Sequence, residues 1–345
     1  MRVRTRWTAG LVAAVMAVTL TACGGSDDDA GNVQTVPPAA PAESPHTDAA
    51  PAGHVIPQAA GTRIAQFGET VAVLGSDGST VTLHETSGAP APREVKLPVD
   101  GLVDLTAIGG AFLAVGPQGL VRIGPDGRFD LRRHAIDSPL SIAQRGGESL
   151  VGTATGSILV FSPEGEYQRE IGGFVRVDDI LVVPDTPETD STDVSGQVSV
   201  LDRAQSAVLP VDIDTGDHKA ALRAGNGATN AVVDHYGRIS VTGTRDNEIY
   251  AFYGQPIVMR LRAPAPASPY AIAYDDTRDV LWVSSTADNV AVAYDLSGGD
   301  AVERDRIATV GQVSSMAVDP TDGTLRMVSG RGDGLQVVPA DAVKL

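Results

Sequence analysis

The chain has 345 residues, of which 42% are hydrophobic, and a formal net charge of −17. Its length and apolar content allow a large folded core, while its acidic balance speaks against nucleic acid and against electrostatic adhesion to an anionic bilayer. Glycine (38) and proline (22) are frequent, which is typical of many short strands joined by turns. Cys23 is the only cysteine, so no disulfide within the chain can hold the fold.

The first element in chain order is a predicted lipoprotein signal peptide, residues 1–22. Arg2, Arg4 and Arg6 precede an apolar run that is too short to span a bilayer. The Leu-Thr-Ala sequence immediately before Cys23 resembles the lipobox of bacterial lipoproteins, in which the cysteine is lipidated and becomes the new N-terminus. This resemblance implies lipidation of Cys23, for example with palmitate, and a protein anchored on the outer face of the cell membrane. An ordinary secretory signal that ends near a cysteine is the alternative.

Residues 23–61 are predicted to be the lipidated cysteine and a disordered tether. The segment has no apolar periodicity, an acidic run at residues 27–29 and a Pro/Ala-rich stretch at residues 36–45. Such a composition cannot bury enough apolar surface to fold alone. In an extended form, at ~3.1 Å per residue, it would hold a domain on the order of 100 Å from the membrane.

Residues 62–345 are predicted to form an all-β domain built from repeats. Residues 270–294 and 314–338 each read as a strand, an Asp-rich turn, a second strand, a small-residue turn and a third strand. Their offset of about 44 residues is typical of propellers and solenoids. Weaker copies place further first strands near residues 63, 103, 140, 178 and 230, at a spacing of about 40 residues. The sequence therefore predicts a seven-bladed β-propeller, with a six-bladed ring as the alternative.

The last repeat has only three evident strands. Residues 53–57 form a short apolar run just before the first repeat. A strand from this run would complete the last blade and leave no open sheet edge. We therefore expect residues 53–57 to close the ring.

Residues 283–299 resemble the YVTN and NHL-like repeats of bacterial surface and periplasmic propellers. As in those repeats, a small-residue turn with Asp and Asn precedes a Val-rich strand that ends in Asp-x-x-x-Gly. With the lipobox and an arginine bias typical of a GC-rich genome, the chain resembles an actinobacterial-type envelope lipoprotein. The resemblance implies a fold and a location but no activity, because propellers serve enzymes, scaffolds and receptors alike.

In a propeller, the loops before the first strands and the turns between second and third strands share one face, where ligands usually bind. Carboxylate and amide oxygens on this face are the ligands that Ca²⁺ prefers. Alternatively, each such residue satisfies the backbone of its own turn. The candidate ligand-face residues are Asp104, Arg176, Asp178, Asn226, Asn230, Arg245, Asn247, Asp288, Asn289, Arg331 and Asp333.

No catalytic constellation is visible in the sequence. It contains no Gly-x-Ser-x-Gly elbow, no His-Glu-x-x-His pair and no phosphate-binding Gly-Lys-Ser/Thr loop. This pattern favours a monomeric, non-enzymatic binding or scaffold module for a protein or cell-wall partner, without a cofactor. The alternative is a calcium-dependent hydrolase of the lactonase type.

Overall fold

The computed structural model describes residues 33–86, 91–185 and 194–345. The predicted signal peptide, Cys23 and residues 24–32 lie outside these ranges. Within the described residues, the strands form seven four-stranded antiparallel sheets arranged as a propeller. The predicted seven-bladed ring is confirmed, and the six-bladed alternative is wrong. No helix in this part of the chain is long and apolar enough to cross a membrane.

The first three blades follow the predicted repeats closely. The first blade contains β2 (Gly61–Phe67), β3 (Thr70–Gly75), β4 (Thr80–Glu85) and β5 (Arg93–Lys96). The second contains β6 (Asp104–Ile108), β7 (Ala111–Gly116), β8 (Gly119–Ile123) and β9 (Phe129–Arg133). The third contains β10 (Pro139–Arg145), β11 (Glu148–Thr153), β12 (Ile158–Phe161) and β13 (Tyr167–Ile171).

The next three blades have the same strand order. The fourth contains β14 (Asp179–Val182), β15 (Val198–Asp202), β16 (Ala207–Val211) and the short β17 (Leu222–Arg223). The fifth contains β18 (Ala228–Val233), β19 (Ile239–Gly243), β20 (Glu248–Tyr253) and β21 (Val258–Pro264). The sixth contains β22 (Pro269–Asp275), β23 (Val280–Ser285), β24 (Val290–Asp295) and β25 (Val302–Ala308).

The seventh blade joins the two ends of the domain. Its three inner strands are β26 (Val313–Val318), β27 (Leu325–Ser329) and β28 (Leu335–Val338), and a 3₁₀ turn (Ala340–Ala342) follows. The outer strand is β1 (His54–Ile56), which pairs antiparallel with β28. A strand from before the first blade thus completes the last one, so the ring closes through hydrogen bonds.

The core lies between adjacent blades. The second and third strands of each blade are almost wholly buried, as β23 and β24 show, while outer strands such as β25 are mostly exposed to solvent. Trp282 of β23 is fully buried in a hydrophobic cluster that also contains Met327 and Leu325 of the seventh blade. Side chains of neighbouring blades therefore share one core in the space between them, so each blade depends on its neighbours for stability.

The Asp-rich turns between first and second strands are held by buried ion pairs. Asp275, with no solvent exposure, accepts hydrogen bonds from the Thr277 and Arg278 backbone and pairs with the Arg278 guanidinium. Asp234 and Arg238 repeat this arrangement in the fifth blade, at 2.8 Å. These aspartates satisfy turn backbones on the side of the ring opposite the candidate ligand face.

Candidate functional site

An extended segment crosses the candidate ligand face. Residues 36–52, which we call the strap, contain neither helix nor strand. At one end the Val36 N–H donates to the Ala204 carbonyl of the fourth blade at 2.8 Å. At the other end the Ala52 N–H donates to the Ala308 carbonyl at the end of β25, at 3.0 Å. The strap passes over blades four to seven before entering the ring as β1.

Three arginines in turns between second and third strands bind the strap backbone. The Arg245 guanidinium donates to the Pro37 carbonyl at 3.0 Å, and the Arg203 guanidinium donates to the Ala39 carbonyl at 2.5 Å. Arg331 donates to the Ser44 carbonyl at 3.0 Å. The repeat therefore places a long cationic donor at similar positions in blades four, five and seven, and each one reaches a strap carbonyl.

Ser44 is the most extensively bonded residue of the strap. Its hydroxyl donates to the Thr286 carbonyl at 2.8 Å and accepts from the Gln312 N–H at 2.6 Å. The Gln312 side chain accepts from the Ser44 N–H at 2.9 Å and donates to the Ala42 carbonyl at 3.2 Å. One glutamine thus pairs with the strap backbone as a neighbouring β-strand would.

The C-terminal half of the strap has two further side-chain contacts. The Ala42 N–H donates to the Ser268 hydroxyl at 2.8 Å, and the Asn289 side chain donates to the Pro45 carbonyl at 2.8 Å. We use the name strap groove for the ring residues that bond to residues 36–45 of the strap. They are Arg203, Ala204, Arg245, Ser268, Thr286, Asn289, Gln312 and Arg331.

The strap packs against the ring, whereas the sequence predicts a disordered tether for this stretch. The prediction rests on a lack of apolar periodicity, yet Ala39 and Ser44 are 4% and 5% exposed. Proline restricts the unfolded chain and lowers the entropy lost on ordering. Small side chains then allow the backbone to approach the ring closely. Residues 34–345 accordingly form one compact unit.

Several predicted ligand-face residues bond within their own blades. Asp178 pairs with Arg176 at 2.8 Å and accepts the Arg203 N–H at 2.9 Å, so it supports the turn that presents Arg203. Asp333 pairs with Arg331 at 2.6 Å and thereby orients a guanidinium of the strap groove. These carboxylates position arginines and do not point into a common site.

The remaining residues of these turns have local roles. Asn247 adopts a φ of 57° and accepts the Ser268 N–H at 2.8 Å. Asp288 accepts from the Ser285 hydroxyl at 3.1 Å. Asn226 is exposed and its carbonyl accepts from Arg245 at 2.5 Å. Asparagine tolerates positive φ better than most residues, which explains why Asn247 occupies the position directly before the third strand of its blade.

Asp104 and Asn230 line the central channel, apart from the strap groove. The channel encloses a cavity of about 550 Å³ bordered by the first strands. Asp104 accepts from the Arg63 guanidinium at 2.8 Å and from the Ile142 N–H at 2.9 Å. Asn230 donates to the Tyr270 carbonyl at 3.1 Å. Both side chains therefore connect neighbouring blades around the axis.

Asp179, at the start of β14, is the strongly perturbed acid of this channel. Burial of the carboxyl, reinforced by the negative charge of Asp104 and opposed by the positive charge of Arg63, raises the pKa of Asp179 to about 7. Its carboxylate accepts the N–H of Ile180 at 2.9 Å. Near neutral pH this carboxyl is therefore partly protonated, whereas an ordinary aspartate is ionised.

The described residues contain no group of three or more His, Cys, Asp or Glu side chains that could hold a metal ion. Arg63 adds a positive charge beside Asp104, and such a charge repels a cation. The carboxylates predicted as Ca²⁺ ligands are dispersed between the channel and separate turns.

Sequence reasoning missed five residues of the strap groove and two of the channel. They are Arg203, Ala204, Ser268, Thr286 and Gln312 in the groove, and Arg63 and Asp179 in the channel. Arg203 and Arg331 both lie four residues before the third strand of their blades, so an alignment of turns would have found Arg203. Gln312 has no counterpart of this kind, because its role depends on where the strap lies.

Comparison with known proteins supports the fold. No protein-family model matches the sequence, and a search of curated proteins finds no match. Hydrazine synthase of Kuenenia stuttgartiensis aligns with a TM-score of 0.65 and 14% identity, over 82% of this chain and 96% of that one. A streptogramin B lyase aligns at 0.65 with 12% identity, over 82% and 95%.

Virginiamycin B lyase from Staphylococcus aureus aligns at 0.64 with 14% identity, over 81% of this chain and 94% of that one. The chain is a seven-bladed β-propeller. At identities this low the likeness extends to the fold alone, because one fold serves many functions.

Proposed function

We propose that this chain is an envelope lipoprotein of the actinobacterial type, anchored outside the cell membrane through Cys23. Its propeller binds a protein or cell-wall partner on the face that carries the strap. The lipobox resemblance supports the anchor and the location, and the acidic charge of the chain favours attachment through a lipid over electrostatic adhesion. Neither the anchor nor the partner follows from the fold.

One observation carries the binding role: this face holds an extended polypeptide through ring side chains. Arg203, Arg245 and Arg331 donate to carbonyls, while Gln312 bonds to both an N–H and a carbonyl. Backbone recognition of this kind is a recurring mode of peptide binding. A binding module therefore accounts for the arrangement better than a catalytic one.

A calcium-dependent hydrolase, the alternative from the sequence, receives less support. The lyases among the similar structures share the fold at 12% and 14% identity, which does not carry an activity to this chain. Asp104 is paired with Arg63, and the described residues offer no cluster of metal ligands.

Photo-crosslinking in intact cells tests the binding role. A photoreactive amino acid replaces Asn226, which is exposed on the strap-bearing face, and a matched control replaces Glu164 in an exposed turn on the opposite face. We expect a discrete adduct from position 226 and none from position 164. Adducts from position 164 alone, or from neither position, would overturn the proposal.

A further inference from the structure

We propose that the strap is a displaceable internal ligand. When the strap is displaced, the strap groove binds an extended Pro/Ala-rich peptide from another molecule. This peptide has a small residue at the position that Ala39 occupies and a serine at the position that Ser44 occupies. This inference rests on the proposed binding role of the same face and names its ligand class and its competitor.

The first argument is the kind of contact that the groove makes. Carbonyls of Pro37, Ala39 and Ser44 accept from arginine side chains, and Gln312 pairs with the backbone on either side of Glu43. Contacts to the backbone are available to any extended chain without helical hydrogen bonds of its own. Proline favours this form, because it removes a donor and restricts φ.

The second argument is selectivity for side chains. Ala39 and Ser44 are almost fully buried, whereas Ala42 and Glu43 between them are exposed. The Ser44 hydroxyl is both a donor and an acceptor in its place, so a residue without a hydroxyl leaves the Thr286 carbonyl and the Gln312 N–H without these bonds. The groove therefore selects a small residue followed, five positions later, by serine.

The third argument is that the strap fits its groove incompletely. Among the described residues, the Arg203 Nε atom and the Asn289 Oδ1 atom are buried and have no hydrogen-bond partner. Pro45 offers its carbonyl to the Asn289 side chain but has no N–H to donate. Unpaired buried polar atoms are costly, so a ligand that supplies both partners binds more tightly than the strap.

The fourth argument concerns displacement. The strap contains no helix or strand, and most of its side chains are exposed, so little apolar burial holds it. Its covalent connection to β1 nevertheless gives it an effective concentration on the order of millimolar. A peptide in trans must overcome this competition, and its apparent affinity is reduced accordingly.

A peptide-binding experiment tests the inference. The probe is a fluorescent synthetic peptide with the sequence of residues 34–48, and its anisotropy is measured with detergent-solubilised full-length protein. In the Ser44→Phe variant the larger side chain does not fit the buried position of Ser44, so the strap is released. We therefore expect the probe to bind this variant at least ~10-fold more tightly than wild type. The matched control Thr47→Ala, at an exposed position, should bind like wild type.

Specificity is tested with a second substitution and a second peptide. Gln312→Ala in the Ser44→Phe background should weaken binding at least ~10-fold, and so should a probe with alanine at the serine. Ala39→Phe provides an independent way to release the strap if Ser44→Phe fails to fold. The inference is overturned if the folded strap variants bind no better than wild type, or if Gln312→Ala has no effect.

Failure of this inference can be distinguished from failure of the proposed function. An adduct from position 226 in cells without peptide binding in vitro would overturn the ligand class and leave the partner-binding role intact. Peptide binding without an adduct would support the ligand class and overturn the partner-binding role in cells.

Discussion

Gln336 is the buried polar side chain that connects the two ends of the ring, and its replacement gives the sharpest test of how the ring closes. It has no solvent exposure and lies on β28. Its amide donates to the carbonyls of Ala52 at 2.8 Å and Ala308 at 3.0 Å, and its side-chain carbonyl accepts from the Val310 N–H at 2.9 Å. Two segments, the end of the strap at Ala52 and the stretch from Ala308 to Val310, therefore depend on one side chain of β28.

Gln336→Met keeps the length of the side chain and removes these bonds. Each lost bond costs about 1 kcal/mol, and the Val310 N–H is left unpaired in the core, so the free energy of unfolding should fall by about 3 kcal/mol. That loss corresponds to roughly a 150-fold change in the unfolding equilibrium constant. Urea titration followed by the fluorescence of the buried Trp282 measures the change.

The matched control is Gln168→Met, at an exposed position on the outer strand β13. We expect this variant to stay within about 0.5 kcal/mol of wild type. A loss below about 1 kcal/mol for Gln336→Met, at an unchanged dependence on urea concentration, would refute the reasoning. The ring would then close through β1 pairing and apolar contacts alone.

Three further predictions follow from the channel, the metal alternative and the proposed anchor. The pKa of Asp179 in the folded protein is raised to about 7, so its ionisation destabilises the protein as the pH rises from about 4 to about 8. The free energy of unfolding of Asp179→Asn, relative to that of wild type, should therefore rise by about 2–4 kcal/mol over this range. A difference that does not depend on pH would contradict the raised pKa. Chelation with EDTA should leave the melting temperature unchanged, whereas a fall of more than ~5 °C would favour the calcium-dependent hydrolase. Cys23→Ser should move the protein from the membrane fraction to the soluble fraction after cell lysis, and retention in the membrane would argue against lipid anchoring.

Much of the ring could be predicted because each blade carries its own turn chemistry. Asp275 and Asp319 recur at the same place in successive repeats, and each satisfies the backbone of the turn in which it lies. Local signals of this kind are visible in a single sequence. They fix where strands end, and their spacing determines the number of blades.

The strap could not be predicted, because its partners lie far away in the sequence and bind its backbone. Pro37 and Arg245 are 208 positions apart, and Ser44 and Gln312 are 268 apart. Bonds to backbone carbonyls do not require particular side chains, so they produce no recognisable sequence pattern. The segment therefore resembles an unstructured tether in its composition.

The same reasoning explains the candidate site. The sequence alone predicts Asp104 as a ligand-face residue, whereas in the structure its carboxylate pairs with Arg63 of the neighbouring blade. Asp333 and Asp178 occupy turn positions where carboxylates commonly bind ligands, yet each orients an arginine instead. Residue type and position predicted which face carries polar groups, but the pairing between blades decided what those groups do.

The path of the strap has a mechanical consequence. A pulling force applied at the N-terminal side of the chain reaches the ring first at Val36, and it loads the strap bonds one after another. Peeling residues 36–52 from the face would lengthen the chain by up to about 55 Å before any load reached β1. The strap would therefore detach and extend under tension before the propeller itself unfolds. The same tension would expose the strap groove.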